Sequence, residues 1–304
     1  MPLVSIGLPV FNGEAYLERA VRAILAQSFT DFELVVCDNA STDRTPEILA
    51  RLAADDVRLR VHRNAENIGA APNWNRVFTL SRGRYFKWAA SDDVHEPTFL
   101  ERTVAALEAD PGVVLAHSRT RLVDENEHDL VFDSLSGCYR DRAGNLRVGP
   151  PPAGRASSDD PVERFTDLFL RTIRCTDIFG LIRADVLRQT PLHRSYYSSD
   201  KALLTELALR GRFHEVPEPL FMKRDHDRTS LTLSAEEQRR WIDTRAEVSR
   251  WSPKRQQYLQ ILGACLRVPG LGPAQRLHCA AVVLGRVDWV HFVKSRVGVH
   301  PLHA

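Results

Sequence analysis

Tyr85-Phe86-Lys87-Trp88-Ala89-Ala90-Ser91-Asp92-Asp93 is an apolar run that stops on two adjacent carboxylates. Such a run reads as a buried strand delivering acids to the lip of a sheet, where an open α/β fold binds its ligand. Taken alone, a Ser-Asp-Asp triplet is equally a solvated turn, because short motifs recur by chance. The flanking sequence decides between the two.

Upstream, Val4 to Leu8 is a short apolar run ended by Pro9, and Glu33 to Cys37 is a second one ended by Asp38. Between them Leu17, Ala20, Val21, Ile24 and Leu25 recur at helical spacing, with Asn12 placed to cap and Glu14 in the first turn. A second unit follows: Thr45 precedes Pro46 in cap-then-proline order, Ile48, Leu49, Leu52 and Ala53 share one face, and Leu59 to His62 supplies the next strand. Pro72 opens a helix carrying Trp74, Val77 and Phe78, which leads into the quoted stretch. Downstream, Pro97 starts a helix with Phe99, Leu100, Val104 and Leu107 inward; Pro111-Gly112 breaks it, and Val113 to Ala116 is another strand. This alternation predicts an α/β fold, a mostly parallel sheet with helices on both faces.

Past residue 113 the rhythm changes. Arg119 to Val123 and Leu130 to Phe132 read as a hairpin around Asp124-Glu125-Asn126-Glu127, and Ser134 to Asp160 reads as a long loop. A helix through Phe165, Leu168 and Phe169, a strand from Ile178 to Ile182, and a helix through Leu203, Leu204, Leu207 and Ala208 follow. Phe213 to Val216 and Leu220 to Lys223 read as short strands punctuated by Pro217 and Pro219. From Ser234, where Glu237 completes a capping box, the chain reads as helical. Its last helix, expected over Ala274 to Val297, is apolar at Leu277, Ala280, Ala281, Leu284, Val287 and Trp289 and carries Arg276, Arg286, His291, Lys294 and Arg296. That pattern fits a helix packed on the domain or a basic amphipathic helix resting on an anionic membrane surface. The expected divisions are 1–112, 113–233 and a helical extension over 234–304.

A chain of 304 residues, 43% hydrophobic and 26% charged, buries a substantial core. Its 41 basic and 39 acidic residues leave a net charge of +2, which argues against nucleic acid as a partner. Cys37, Cys138, Cys175, Cys265 and Cys279 form no C-x-x-C pair, so neither a zinc knuckle nor a disulfide framework is indicated. The N-terminus enters a strand pattern without a secretory leader, and no apolar run approaches the ~20 residues of a membrane span. The expected location is cytoplasmic, soluble or peripheral at the inner face of a membrane.

In a parallel sheet the C-terminal strand ends share one edge, so Pro9-Val10-Phe11-Asn12, Asp38-Asn39-Ala40-Ser41 and Ser91-Asp92-Asp93 converge there. No G-x-G-x-x-G follows the first strand, which weakens a dinucleotide site. Here the sequence resembles glycosyltransferase family 2. The resemblance is carried by Val4-Ser5-Ile6-Gly7-Leu8-Pro9-Val10-Phe11-Asn12, Ala26-Gln27-Ser28-Phe29, Asp38-Asn39-Ala40-Ser41-Thr42-Asp43, Asn67-Ile68-Gly69 and Ser91-Asp92-Asp93. It thins beyond residue 113 and returns at Gly180, Ser199-Asp200 and Arg224-Asp225-His226 with Ser230.

The resemblance implies a GT-A, Rossmann-like fold and inverting transfer of one sugar from a nucleoside-diphosphate sugar, UDP or dTDP favoured, with Mn²⁺ or Mg²⁺. The acceptor would be a hydroxyl of a glycan, a lipid-linked glycan or a metabolite. Asp38 would accept the imide N–H of uracil or thymine, with Pro9, Phe11 and Asn12 around the base. Asp92 would contact the ribose and Asp93 the metal that bridges the diphosphate. His226 resembles the late histidine that completes the metal shell, and reads equally as a surface residue. Asp200 is the candidate general base, at a position that also suits a helix cap; Ser199 stands where an acid is common, and Asp177 and Glu206 are fallback bases. Lys87, Arg63 and Asn67 are candidates to reach the nucleotide or its phosphates. Glu237-Gln238-Arg239-Arg240-Trp241 departs from the Q-x-x-R-W element of processive synthases, so single-sugar addition is expected. A non-catalytic sugar-nucleotide-binding protein and a nucleotidyltransferase are the alternatives.

Overall fold

The computed structural model describes residues 1–136, 138–146, 155–172, 174–226, 233–245 and 249–286. The first half alternates as expected: β1 (Val4–Val10), α1 (Leu17–Leu25), β2 (Phe32–Asp38), α2 (Thr45–Asp55), β3 (Leu59–Arg63), α3 (Ala70–Thr79), β4 (Tyr85–Trp88), β5 (Val94–His95) and α4 (Phe99–Ala109). It continues through β6 (Val113–Val123), β7 (Val131–Asp133), β8 (Cys138–Arg140), α5 (Pro161–Arg171), a 3₁₀ turn at Thr176–Phe179, β9 (Leu181–Arg183), α6 (Ala184–Leu187), α7 (Ser199–Arg210) and β10 (Arg212–Arg224). Three helices close it: α8 (Ala235–Ile242), α9 (Pro253–Arg267) and α10 (Pro273–Leu284).

Eight strands form one sheet in the order β3-β2-β1-β4-β9-β6-β10-β5, parallel except for β9 and β5. Every residue of β1 and β2 is buried, because helices cover both faces. On one face Leu17, Val21 and Ile24 of α1 and Phe99, Leu100 and Leu107 of α4 join a core with Ile6, Leu8 and Leu34. On the other, Val77 and Phe78 of α3 and Leu203, Leu204 and Leu207 of α7 pack with Phe86 and Trp88. A third cluster joins α5 and α7 to α9 and α10 through Phe165, Ile261, Cys265 and Cys279.

Several local expectations are corrected. Val113–Ala116 and Arg119–Val123 belong to one strand, β6, and the two proline-punctuated strands are one strand, β10, which absorbs Pro217 and Pro219 as a register break between Val216 and Phe221. The hairpin forms between β7 and β8, while Val123 and Asp129 share only an isolated bridge. Asn12 does not cap α1, which starts at Leu17. Its backbone takes φ 51°, and its side-chain oxygen accepts from Thr42 N at 2.8 Å, so it ties the first strand-end loop to the second. The Thr45 hydroxyl likewise accepts from Gly13 N at 2.9 Å instead of capping α2. The Ser234–Glu237 capping box is present. Among the described residues α10 packs on α5 and α9; residues beyond 286, with His291, Lys294 and Arg296, lie outside the description. No helix among the described residues is long and apolar enough to cross a membrane.

Candidate functional site

The three strand ends meet as the parallel register requires. Val10 pairs with Asp38, Gly7 pairs with Trp88, and Ala89 N donates to Gly7 O at 2.9 Å. Pro9 is buried within β1, whereas Phe11, one residue past the strand, is 45% exposed and open to a ligand ring. Asp38 accepts from Ser41 N at 2.9 Å through Oδ1; its Oδ2 is buried, has no hydrogen bond, and faces Arg63 Nη1 at 3.2 Å. Arg63 is half exposed and also donates to Ser41 O. A base can therefore reach Asp38 once that guanidinium turns outward.

Beneath this edge lies an asparagine network that sequence reading missed. Asn64 Nδ2 donates to Asn39 Oδ1 at 2.8 Å and Asn73 Oδ1 at 3.0 Å, and Asn73 Nδ2 donates to Cys37 O at 2.9 Å. Asn67 belongs to it: its side-chain oxygen accepts from Asn39 Nδ2 at 2.9 Å and Gly69 N at 2.8 Å, so that oxygen is engaged in shaping the loop. Gly69 sits at φ 88°, and a Cβ there would lie 2.4 Å from Asp243 Cα, which explains the glycine where the end of α8 meets the start of α3.

The two acids of the pair stand in different surroundings. The Asp93 side chain is 0% exposed; Oδ1 accepts from Arg224 N at 2.9 Å and Oδ2 lies 3.7 Å from Lys223 Nζ. Asp92 is 34% exposed, and its Oδ2 lies 3.0 Å from His226 Nε2. The alternation of side chains along extended chain separates the two acids, but it is Asp92 that faces outward beside the histidine. In this arrangement Asp92 faces the cleft, whereas the metal role implied for Asp93 requires Lys223 and the covering chain to move aside. Burial pushes Asp93 up to about 6, with the charge of Asp92 adding to the effect and that of Lys223 opposing it. Burial also opposes ionisation of Asp92, but the His226 hydrogen bond and the Lys223 charge outweigh it and hold the carboxyl below its ordinary range.

His226 is not an isolated surface residue. It packs on Tyr16, ring centroids 5.4 Å apart, and the Arg224 guanidinium lies 4.6 Å from the same ring. Arg224 is buried and ties the Asp92 strand end to the 124–127 loop: Nε donates to Asp92 O, Nη1 to Asp124 O and Glu125 O, and Nη2 to Glu127. Tyr16, Lys223 and Arg224 were missed as site residues. Lys223-Arg224 ends an apolar strand, the same signal that marked Asp38. Ser230 lies outside the described residues.

Asp200 stands in the first turn of α7 and lines a cavity of about 330 Å³ with Lys223, Arg174, Asp225 and the aromatic side chains of Trp74 and Phe179. Ser198, the residue before the helix, adopts φ 68° and makes no side-chain cap, while Asp200 Oδ1 accepts from Lys201 N at 2.8 Å. Burial raises the Asp200 carboxyl above its ordinary range, partly offset by hydrogen bonds from Lys201 N and the Cys175 thiol. Lys223 connects the parts of the site, because it lies beside Asp93 and lines the cavity of Asp200.

The remaining candidates are placed elsewhere. Lys87 is buried beneath the strand end, Nζ 2.7 Å from His95 Nε2 and 4.8 Å from the Phe99 ring, and cannot touch a phosphate. Asp177 is buried and takes both oxygens to Arg155 Nη2 at 2.7–2.8 Å, and Glu206 is buried against Arg210 at 2.7 Å, so neither fallback base is available. Among the described residues no three acids, histidines or cysteines gather as a preformed metal centre. Asp92 and His226 still fit as two ligands of an ion that a diphosphate completes.

Residues 5–149 match the family model described as Glycosyl transferase family 2. An uncharacterized glycosyltransferase of Haemophilus influenzae is 25% identical over 240 residues, 78% of this chain and 70% of that protein. The chondroitin synthase of Escherichia coli is 34% identical over 137 residues, 45% of this chain but only 20% of that protein. Staphylococcus aureus TarS 1-349, solved in complex with UDP-GlcNAc, superposes with a TM-score of 0.63 at 18% identity, over 97% of this chain and 74% of that one. The chain carries a family 2 glycosyltransferase domain over residues 5–149, and its described residues adopt the GT-A fold.

Proposed function

We infer that the protein transfers one sugar from a nucleoside-diphosphate sugar to an acceptor hydroxyl with inversion. The observation that carries this reading is Asp200, a carboxylate with raised proton affinity at the wall of an aromatic-lined cavity, joined through Lys223 to the acidic strand end. A base of that kind takes the proton of an attacking hydroxyl as the oxygen bonds to the anomeric carbon and the C–O bond to the diphosphate breaks on the opposite face. Asp38, whose buried Oδ2 makes no hydrogen bond and is met only by the half-exposed Arg63, suits the imide N–H of uracil or thymine, which supports a UDP or dTDP sugar. Trp74, Phe179 and Tyr197 offer flat apolar faces to a sugar ring.

Asp92 and His226 are the residues that would hold Mn²⁺ or Mg²⁺. Such an ion supplies Lewis-acid stabilisation of the leaving diphosphate. Asp93 acts from below: it binds the Arg224 amide and keeps Lys223 at the cavity wall. Lys223 is placed to meet phosphate charge as it develops.

The test is a melting-temperature panel with UDP, dTDP and GDP sugars, with and without Mn²⁺, followed by product analysis with candidate acceptors. Stabilisation by a UDP or dTDP sugar that grows with Mn²⁺, and release of the nucleoside diphosphate on transfer, are expected. Release of pyrophosphate would identify a nucleotidyltransferase, and binding of donor without hydrolysis or transfer to any acceptor would identify a non-catalytic binding protein.

A further inference from the structure

A second cavity, of about 450 Å³, adjoins the one that holds Asp200, and the two share Tyr197 and Ser198 in their walls. Lys201, Lys254 and Arg286 line it, and among the described residues no carboxylate does. The cations come from three separate elements: Lys201 from the start of α7, Lys254 from the start of α9 and Arg286 from just past α10. Lys201 Nζ donates to Thr172 O at 2.8 Å and lies 5.7 Å from the Phe169 ring, and Lys254 Nζ lies 5.8 Å from the Tyr258 ring. Burial lowers the proton affinity of Lys201; the nearby Arg286 and Arg155 guanidiniums add to this, and Cys175 and Asp200 oppose it. Gathering like charges around a concave space costs energy unless an anion enters it.

The position of this cavity says what the anion belongs to. Asp200 and Lys201 are consecutive, yet Asp200 lines the first cavity and Lys201 the second. The wall between them is fixed from α9, where the buried Gln257 donates Nε2 to Ser198 O at 2.8 Å. We propose that the second cavity is an acceptor subsite, which binds the phosphate or carboxylate group of an anionic glycan whose attacking hydroxyl lies at Asp200. The proposal rests on the transferase reading for the hydroxyl's place, and on the cavity alone for the anion. Leu170, Tyr258 and Phe169 give the carbon skeleton next to the charge an apolar surface.

Lys254 and Arg286 are exposed, so replacing them with methionine costs the fold little. Wild type and a Lys254→Met/Arg286→Met variant are titrated with inorganic phosphate, with glucuronate and with neutral glucose at fixed ionic strength, following melting temperature, and UDP binding is measured on each. A saturable rise with phosphate or glucuronate that weakens about tenfold or more in the variant supports the subsite. UDP affinity should stay unchanged, and the single Lys254→Met variant should fall between the two. The more effective anion separates phosphate-bearing from uronate-bearing acceptors. An equal response of both proteins, or no response to either anion, overturns the subsite. If UDP binds neither protein while the anion response is present and lost in the variant, the donor reading falls, and with it the acceptor role, while the anion site stands.

Discussion

Asp200 and Asp92 make different demands on their surroundings. Asp200 is a base only if its carboxylate reaches the acceptor hydroxyl, so Asp200→Asn should lower kcat by about 10²–10⁴-fold while donor affinity is retained. Donor titration on the variant, alongside turnover, checks both halves; unchanged turnover removes Asp200 as the base. Asp92 is partly exposed beside His226, whereas Asp93 is sealed. Asp92→Asn should therefore raise the Mn²⁺ concentration needed for half-maximal donor binding by at least the roughly 10–100-fold typical of outer-shell partners. An unchanged metal requirement would return the metal role to another residue. The sequence could not separate the two acids: alternation says they point apart, but which one faces solvent depends on β10, more than a hundred residues later, where Arg224 N and Lys223 close over Asp93.

At the scale of elements, β4 brings Lys87 beneath the site. Burial pushes its ammonium down to about 7, so in the folded protein it is neutral above that pH and the unfolded chain holds the proton up to its ordinary value near 10.5. The folded pKa is depressed, so the contribution to stability is full above about 10.5 and is lost as pH falls to about 7. Each pH unit in that window costs up to about 1.4 kcal/mol. Urea midpoints between pH 7 and 9.5 should show Lys87→Met gaining on wild type as pH falls, and parallel curves would refute the assignment. Lys87 also shows where sequence reading ends. Its place in an apolar run one strand-end away from two acids suggested a phosphate ligand, yet residues on a fully covered strand face inward on both sides of the sheet. The strands of the first half were legible because apolar runs ended by Pro9, Asp38 and Ser91 mark parallel central strands. The continuity of β10 through Pro217 and Pro219 was not, because a strand can carry prolines where its pairing register breaks.

For the molecule as a whole, the helical extension is part of the folded body. Ile261 of α9 is 0% exposed within the cluster that includes Phe165 of α5 and Leu209 of α7. Ile261→Ala should destabilise the protein by about 2–5 kcal/mol in urea unfolding, with one cooperative transition; a separate early transition would show that the extension unfolds independently. The way α7 is built has a further consequence. Its first turn carries the candidate base, whereas two of the three cations in the neighbouring cavity come from α9 and from beyond α10. Changes confined to the last fifty or so residues can thus rewrite which glycan is accepted, leaving donor handling and bond chemistry, carried by residues up to His226, untouched. A laboratory chimera made at Ser252 would exchange two of the three cations in one step and leave Asp200 in place.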